Sequence, residues 1–371
     1  MGANIKINLK NYDIESQKKP VFMAFAVNDG SNLIARKGTK LDARLIQQCL
    51  RRNIVELTVF HKEISEEADG LAMKQNLPVP KSIASFGLDK VENFSKFADS
   101  FVTGTHKLSG HFDTIKKTGK VDEMAVYKLF QDMVDVVPVK SDLLKYTHFL
   151  KTHDDITYAH SQKVAILCNM LGNWMNLPKN ELEVVTLAGL LHDIGKTELN
   201  VQILRKKDKL SDAEFAQLKQ HTKLGFELIG SELKDPRVAH LVLDHHERVD
   251  GSGYNGKKAE ELNRHVNILM LCDIYAALTS NRPYKKAMDP FFAIKYLTLS
   301  ERTKLDPEVM YHFLLHIANQ YIGSRVKLTD NSEWDIVTIN NADVTKPLLK
   351  NDDGEFMSLL DNKSLDILAL V

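Results

Sequence analysis

Histidine is concentrated in one part of this chain, and that concentration constrains the fold more than any other feature. Nine of the 14 histidines lie between His148 and His265, a density that ordinary packing does not require. Around them the sequence has the apolar spacing of successive amphipathic helices. Signals for helix starts recur there, namely capping-box spacing at Asn180–Glu183 and Ser211–Glu214 and Asp-Pro pairs at 235–236, 289–290 and 306–307. Residues 121–321 are therefore predicted to form a central all-α helical bundle.

The flanking regions have different patterns, which predict a multi-domain chain. Residues 1–120 contain the β-rich runs VFMAFAV and ELTVFH and the helical run LDARLIQQCLRRN, followed from His61 by a polar stretch. We expect a mixed α/β accessory and regulatory region there, ending in a loosely structured linker with one helix around KVENFSKFAD. Residues 322–371 alternate or run short between turn signals, which predicts a small β-rich C-terminal extension.

The composition excludes several classes of protein. The 49 basic residues balance 49 acidic ones, so neither a nucleic-acid polymer nor a membrane surface is expected as a partner. Three widely spaced cysteines without a CxxC pair indicate a reducing compartment and argue against a thiolate zinc site. The N-terminus lacks an apolar signal region, and no run of about 18 apolar residues occurs. A cytoplasmic location is expected.

The run LAGLLHDIGK predicts a histidine and an aspartate at the end of a buried helix. Its leucines and Ile194 follow the spacing of one apolar face, which places His192 and Asp193 near the C-terminal end. Gly195 suits a left-handed stop immediately afterwards. Such an ending matters because two adjacent residues can share one metal ion only if the helix ends facing it.

Three further segments offer the same types of ligand. His160 extends the apolar face of its helix, and Asp273 lies inside the apolar run ILMLCDIYAAL, where a carboxylate needs a positively charged partner. His221 lies one turn before Gly225, a residue that lets another backbone come close. The doublet at 245–246 follows a helical run and comes at its end.

This mixture of side chains predicts a metal-dependent hydrolase. Imidazole and carboxylate without thiolate suit Fe, Mn, Co, Ni or Zn, and an aspartate can bridge two ions. Two divalent ions would bring about four positive charges against the two negative charges of Asp193 and Asp273. The surplus would bind a phosphate oxygen and acidify a bridging water toward hydroxide, the nucleophile for phosphodiester hydrolysis. Lys196, Arg282 and Lys285 follow these segments and are predicted to contact phosphate.

The order and spacing of the motifs resemble the HD-GYP branch of the HD phosphohydrolase superfamily over residues 121–321. The matching motifs are His160, the HD doublet 192–193 with Gly195-Lys196, HxxxG at 221–225, HHExxDGxGY at 245–254 and DxxxALTxxRPY at 273–284. This resemblance implies an HD-type bundle and a bacterial signalling phosphodiesterase that opens cyclic di-GMP to pGpG or GMP, with two iron or manganese ions as cofactors.

The resemblance also implies a role for each matched residue. It assigns one metal to His160, His192, Asp193 and Asp273 and the second to His221, His245 and His246, with Asp193 as the bridge. Asp193 and Lys196 would act in catalysis. The residues that would contact substrate phosphate are Lys196, Arg282 and Lys285. The expected partners are the cyclic dinucleotide, a signalling protein at the GYN loop or the N-terminal region, and a second copy of the chain in a homodimer.

The chain departs from the family pattern at several positions. Ile156 stands where trinuclear members carry a glutamate, which favours two metals over three. Ala276 replaces the second aspartate of DxxDAL, and LRKKDKL at 204–210 replaces LNKPGKL. Asn255 replaces the proline of GYP, and a looser loop is expected because asparagine does not fix φ. Glu247 is expected to orient imidazoles or to pin this loop.

Three alternatives stay open at this stage. A catalytically degenerate domain that binds cyclic di-GMP or a partner protein would account for the departures. A nucleotidase or another HD-superfamily nucleotide phosphohydrolase would need only the ligands of the first metal and would leave the second set without a role. GSGYNG also satisfies the dinucleotide fingerprint GxGxxG, but that motif requires a preceding strand, whereas here a helix is predicted.

Overall fold

The chain is divided into two compact units, Met1–Gln75 and Asn76–Val371. The computed structural model describes residues 5–9, 21–23, 27–28, 33–35, 41, 43–51, 54–61, 88–150, 156–206, 208–280 and 287–371. Within these ranges, no helix combines the length and the apolar character that are needed to cross a bilayer.

The described residues of the N-terminal unit form short strands and one helix. Its elements are β1 (Ile5–Asn8), β2 (Val21–Met23), β3 (Val27–Asn28), β4 (Leu33–Ala35), α1 (Ala43–Leu50) and β5 (Glu56–His61). Strand β5 pairs antiparallel with β1 on one side and with β2 on the other, while β3 and β4 pair separately. Apolar residues of α1 are buried, as is Leu57 of β5. The described elements are mixed α/β, as the sequence predicted.

The second unit is mainly helical. Its helices are α2 (Leu88–Thr118), α3 (Glu123–Asp135), α4 (Asp142–Phe149), α5 (Ile156–Trp174), α6 (Lys179–Leu191), α7 (Val201–Arg205), α8 (Asp212–Lys219), α9 (His221–Ile229), α10 (Pro236–Asp244), α11 (Arg264–Leu278), α12 (Pro290–Ser300) and α13 (Pro307–Asn319), with 3-10 turns at Ile194–Glu198 and Ala259–Glu261. Helix α5 packs against α6 and α11 at the centre. The predicted helical bundle is confirmed.

Most of the predicted helix starts are found. Ser211 and Glu214 form a reciprocal capping box at α8. The aspartate of each Asp-Pro pair accepts a backbone N–H at the start of α10, α12 or α13. The capping box predicted at Asn180–Glu183 is wrong, because α6 begins at Lys179 after Pro178 and has no side-chain cap.

The stretch predicted as a linker contains α2, which is the longest helix among the described residues, rather than a single short one. Its large buried apolar residues follow a helical repeat, and they are Phe94, Phe97, Phe101, Leu108, Phe112 and Ile115. Gly104 lies inside the helix, where an added Cβ would meet Gln162 Oε1 of α5 at 2.4 Å. This glycine therefore permits close packing, whereas in the sequence it resembles turn material. Gly119, with φ of +71°, follows the helix end.

The C-terminal extension forms an antiparallel sheet, as predicted. Its strands are β6 (Arg325–Leu328), β7 (Glu333–Thr338), β8 (Leu348–Lys350), β9 (Phe356–Ser358) and β10 (Ile367–Leu370), in the order β10-β6-β7-β8-β9. Val326, Leu328, Ile336 and Leu349 are buried in the same apolar core as the helices. The sheet is thus packed onto the bundle.

Asp289 connects the bundle to this sheet. One carboxylate oxygen caps α12 by accepting from Phe291 N at 2.9 Å, and the other accepts from Leu370 N of β10 at 2.7 Å. We expect Asp289→Ala to lower the free energy of unfolding by about 2–3 kcal/mol, because two backbone donors lose a mostly buried acceptor. Asp306→Ala removes only the cap of α13 and should cost about 1 kcal/mol. Urea unfolding measures both, and equal effects would contradict the double role.

Candidate metal centre

Helix ends bring the predicted ligands to one place in the bundle. His192 follows the last residue of α6, and Asp193 precedes the 3-10 turn Ile194–Glu198. His221 is the first residue of α9, and His245 follows the last residue of α10. His160 and Asp273 lie within α5 and α11, while His246 follows His245 directly. All seven predicted ligands are close neighbours.

One group of ligand atoms lies around His192. His160 Nε2 is 2.8 Å from Asp273 Oδ1. His192 Nε2 is 3.4 Å from Asp193 Oδ2 and 3.9 Å from Asp273 Oδ1. Ligand atoms of His160, His192 and Asp193 all lie within 4.8 Å of one another, so a single cation could contact them together.

A second group lies around His221. Its Nε2 is 3.3 Å from His245 Nε2 and 3.5 Å from Asp193 Oδ1. His246 Nδ1 is 3.7 Å from Asp273 Oδ2. The three histidines of this group also offer atoms within 4.8 Å of one another. The second group contains only imidazoles, which carry no negative charge. The negative charge beside it belongs to Asp193 and Asp273, whose carboxylates face both groups.

The carboxylate of Asp193 lies between the two groups. Oδ2 faces His192, whereas Oδ1 faces His221. Oδ1 is buried and, among the described residues, accepts no hydrogen bond. A buried carboxylate oxygen without a donor is costly. The donor set and this oxygen therefore fit divalent cations, with one carboxylate oxygen available to each group.

Backbone carbonyls fix the orientation of three imidazoles. Nδ1 of His192 donates to Gly189 O at 2.9 Å, Nδ1 of His221 to Leu218 O at 2.7 Å, and Nδ1 of His245 to Val242 O at 2.7 Å. A histidine that donates through Nδ1 keeps its lone pair on Nε2, which is the usual preparation of a metal ligand. In all three cases Nε2 faces the centre.

The charges of the centre favour ligands in their metal-binding forms. Burial lowers the pKa of His221 to about 4 and that of His246 to about 3, so both imidazoles are neutral. Burial alone would raise the pKa of Asp193, but Lys196 and His192 hold it well below its usual range. Asp273 is likewise held ionised, by His160. Neutral imidazole and ionised carboxylate are the forms that bind metal.

His192 differs from the other histidines. Burial would lower its pKa, but Asp193 and Asp273 raise the pKa above its ordinary value. The two carboxylates thus favour the protonated form of His192. Metal binding requires the neutral imidazole, so it would compete with that proton.

Two glycines let the polypeptide segments of the centre approach closely. A Cβ on Gly195 would lie 1.9 Å from His221 O and 2.5 Å from Gly225 N. The expectation that Gly225 permits close approach of another backbone is met by this contact. The left-handed stop predicted at Gly195 is wrong, because its φ is not positive and the chain continues as a 3-10 turn. Close packing, not a helix stop, requires glycine there.

Of the three residues predicted to contact phosphate, the structure describes only Lys196. Lys196 Nζ donates to Asp193 Oδ2 at 2.6 Å, and its side chain is 24% exposed. Lys196 therefore lies at the centre and binds the proposed bridging carboxylate. Arg282 and Lys285 lie outside the described residues. Their contact with phosphate, like that of Lys196, stays a prediction.

Glu247 anchors the loop that follows the His-His doublet. It is fully buried, and it accepts from Asn255 N at 2.7 Å, from the Asn255 side-chain amide at 2.9 Å and from Lys257 N at 2.9 Å. A Cβ on Gly253 would lie 2.4 Å from Glu247 Cα, so the loop closes tightly over it. The looser loop expected at Asn255 stays a prediction, while its backbone N–H and its side-chain amide both donate to Glu247, and proline could make neither hydrogen bond.

Sequence reasoning missed one buried cation near the centre. Lys163 lies one turn after His160 in α5 and donates to Ser280 Oγ at 3.3 Å. Burial lowers the pKa of Lys163 to about 8. No sequence pattern signals its burial, because a lysine in an amphipathic helix is normally assigned to the solvent face.

Comparison with known proteins agrees with this geometry. Residues 146–309 match the family model described as HD domain. This part of the chain is similar to HD domains, which confirms the resemblance to HD-type phosphohydrolases at that level.

Several curated relatives carry names that state an activity. Cyclic di-GMP phosphodiesterase PA4108 of Pseudomonas aeruginosa is 37% identical over 184 residues, which are 48% of this chain and 44% of that protein. The cyclic di-GMP phosphodiesterase response regulator RpfG of Xanthomonas campestris is 31% identical, covering 45% of each chain. The 3'3'-cGAMP-specific phosphodiesterase 1 of Vibrio cholerae is 31% identical, covering 43% of this chain and 37% of its own. The match spans less than half of each relative.

One solved structure supports the fold. Bd1817, a HDG"Y"P protein from Bdellovibrio bacteriovorus, aligns with a TM-score of 0.52 over 84% of this chain and 98% of its own, at 15% identity. That likeness concerns the architecture alone.

Proposed function

We propose that this protein is a metal-dependent phosphodiesterase that hydrolyses cyclic di-GMP to pGpG or GMP in bacterial second-messenger signalling. The proposal combines the HD domain, the named activity of its relatives and the two groups of ligands. We propose two divalent ions, iron or manganese. Such ions would supply Lewis acidity toward a phosphate oxygen and toward an attacking water.

The observation that carries the proposal is the position of Asp193. Its two oxygens face different groups of histidines, and one of them is buried without a hydrogen-bond donor among the described residues. A mononuclear nucleotide hydrolase would need only the group around His192. The inward lone pairs of His221 and His245 then would have no use, which supports a dinuclear site.

The residues of this chain would hold the reacting groups in place. Asp193 would keep both ions at a fixed separation, because its backbone lies between the end of α6 and a 3-10 turn. The side chain of Lys196 is partly exposed and could contact a non-bridging phosphate oxygen while staying near Asp193. Arg282 and Lys285 are proposed as the other phosphate contacts.

Direct turnover tests the function. Purified protein, loaded with Mn(II) or anaerobically with Fe(II), is incubated with cyclic di-GMP and, separately, with 3'3'-cGAMP, the substrate in the names of other relatives. We expect linear pGpG or GMP by chromatography and two ions per chain by elemental analysis. Binding of cyclic di-GMP without any product under either metal would instead establish a receptor. One ion per chain with full activity would contradict the dinuclear site.

Replacing Lys196 separates its two proposed roles. We expect Lys196→Ala to lower kcat/KM by about a hundredfold, the usual scale for losing one donor to developing charge. Lys223→Ala, which removes an exposed lysine of α9 paired with Glu227, is the matched control and should leave kcat/KM unchanged. Steady-state kinetics and metal content are measured together. Unchanged kinetics would contradict a contact between Lys196 and substrate phosphate. If the loss of activity instead followed the loss of metal, the role of Lys196 would be to hold Asp193 in place.

The regions around the HD domain are proposed to be accessory. The boundaries at 120 and 321 remain our proposal for the functional division, with a regulatory N-terminal region and a β-rich C-terminal extension. A signalling protein at the GYN loop or the N-terminal region, and a homodimer, are proposed as assemblies. Size-exclusion chromatography with light scattering tests the homodimer directly.

A further inference from the structure

The side chains of the candidate metal centre differ in their exposure to solvent. The side chains of His221 and Asp193 are 1% and 2% exposed, and that of His192 is 1% exposed. The side chain of His246 is 21% exposed. His246 and Lys196, which is 24% exposed, are therefore the parts of the described centre that face solvent most, and a ligand that approaches beside His246 meets the residues around it.

Two aromatic rings extend outward from His246. The ring of Tyr254 packs on the imidazole of His246 with centroids 4.5 Å apart and an interplanar angle of 37°. The ring of Phe215 on α8 meets Tyr254 edge-to-face, with centroids 6.2 Å apart. Phe215 is 42% exposed, although exposing a large apolar side chain to water is unfavourable. A continuous aromatic surface thus leads from a proposed ligand to solvent.

A cation lies over both of these rings. Lys219 Nζ is 5.0 Å from the centroid of Phe215 and 5.5 Å from that of Tyr254. At these distances the ammonium is attracted to the ring faces. Lys219 lies one helical turn after Phe215 on α8 and two residues before His221 in the chain. The surface therefore combines aromatic area with positive charge.

This surface is held in place before any ligand arrives. Asn255, the residue after Tyr254, is bound twice by the buried carboxylate of Glu247. Helix α8 begins with a capping box, and Lys206 pairs with the capping residue Glu214 at 2.6 Å. A rigid aromatic surface loses little entropy when a flat ring stacks on it, which favours binding.

We infer that Phe215, Tyr254 and Lys219 form a stacking subsite for a purine base of the ligand whose phosphate reaches the metal centre. Stacking on exposed aromatic rings is the usual way in which proteins hold unpaired bases, and guanine offers the acceptors O6 and N7 to a nearby lysine. The inference rests on the proposed function for the identity of the nucleotide. It deepens that proposal by naming the residues that would recognise the base.

The test compares two ligands that differ only in having a base. Binding of GMP and of ribose 5-phosphate to the metal-loaded protein is measured by calorimetry, for the native chain and for Phe215→Ala. We expect Phe215→Ala to weaken GMP binding about tenfold or more and to leave ribose 5-phosphate unchanged. Phe215→Trp should restore GMP binding, because it keeps an aromatic face.

A matched pair elsewhere provides the control. Phe356 is 61% exposed in the C-terminal sheet, with Lys350 Nζ 5.7 Å from its ring centroid. Phe356→Ala should affect neither ligand. The inference is overturned if the native chain binds GMP no more tightly than ribose 5-phosphate, or if Phe215→Ala weakens both ligands equally. Because binding is measured without turnover, an inactive protein that still prefers GMP would refute the proposed catalysis and keep the subsite.

Discussion

Replacing Asp193 with alanine is expected to abolish hydrolysis, with a loss of at least about three orders of magnitude in kcat. Its two oxygens face the two groups of histidines, so the substitution removes a ligand from both proposed ions at once. Metal ions contribute several kcal/mol of transition-state stabilisation, and each 1.36 kcal/mol is about tenfold in rate. The measurements are turnover of cyclic di-GMP and metal content per chain, which should fall below two.

The matched control is Asp212→Ala, an exposed aspartate in the first turn of α8. It should retain both ions and full turnover. Circular dichroism and thermal unfolding establish that each variant is folded. An Asp193→Ala protein that keeps two ions and normal turnover would refute the bridging role and leave the two groups of ligands without a common function.

Glu247→Ala is expected to cause the largest loss of stability, on the order of 3 kcal/mol in the free energy of unfolding. The substitution removes a buried charged acceptor from two backbone donors and one side-chain donor, all in a closed loop. Since this loop follows His246 directly, we also expect metal affinity to fall by roughly 10-fold to 100-fold. Urea unfolding of metal-free protein and titration with Mn(II) measure the two effects separately.

Two substitutions at Asn255 remove one or both of its hydrogen bonds to Glu247. Asn255→Ala removes only the side-chain donor and should cost about 1 kcal/mol. Asn255→Pro removes the backbone donor as well, so it should cost more, although proline restricts the unfolded chain. If Asn255→Pro were more stable than the native protein, hydrogen bonding to Glu247 would not be what orders the loop.

The sequence was most informative where local rules decide the structure. Aspartate before proline caps α10, α12 and α13, and the box at Ser211 caps α8, because each motif satisfies backbone donors within its own turn. Histidine and aspartate at helix ends could likewise be selected as neighbours, because few other arrangements explain so many polar groups in apolar helices.

What the sequence could not show depends on contacts between distant segments. Gly104 reads as a turn residue until Gln162 is packed against it, and Gly195 reads as a helix stop until His221 O lies beside it. The same holds for Asn255, whose partner Glu247 is buried by the loop that it orders. Glycine and asparagine can serve either chain flexibility or a close contact. Which of the two roles applies at a given position is clear only when the neighbouring segment is known.

The long helix α2 sets a spacing between two parts of the centre. At Gly104 it packs against Gln162, two residues after His160, and at Lys116 its ammonium binds Thr197 O, next to Lys196. These contacts are separated by 12 residues, or about 18 Å along the axis. One inserted residue would move the second contact by about 1.5 Å and rotate it by about 100°. The number of residues between Gly104 and Lys116 therefore sets how the segment after His160 and the segment after Lys196 are held relative to each other.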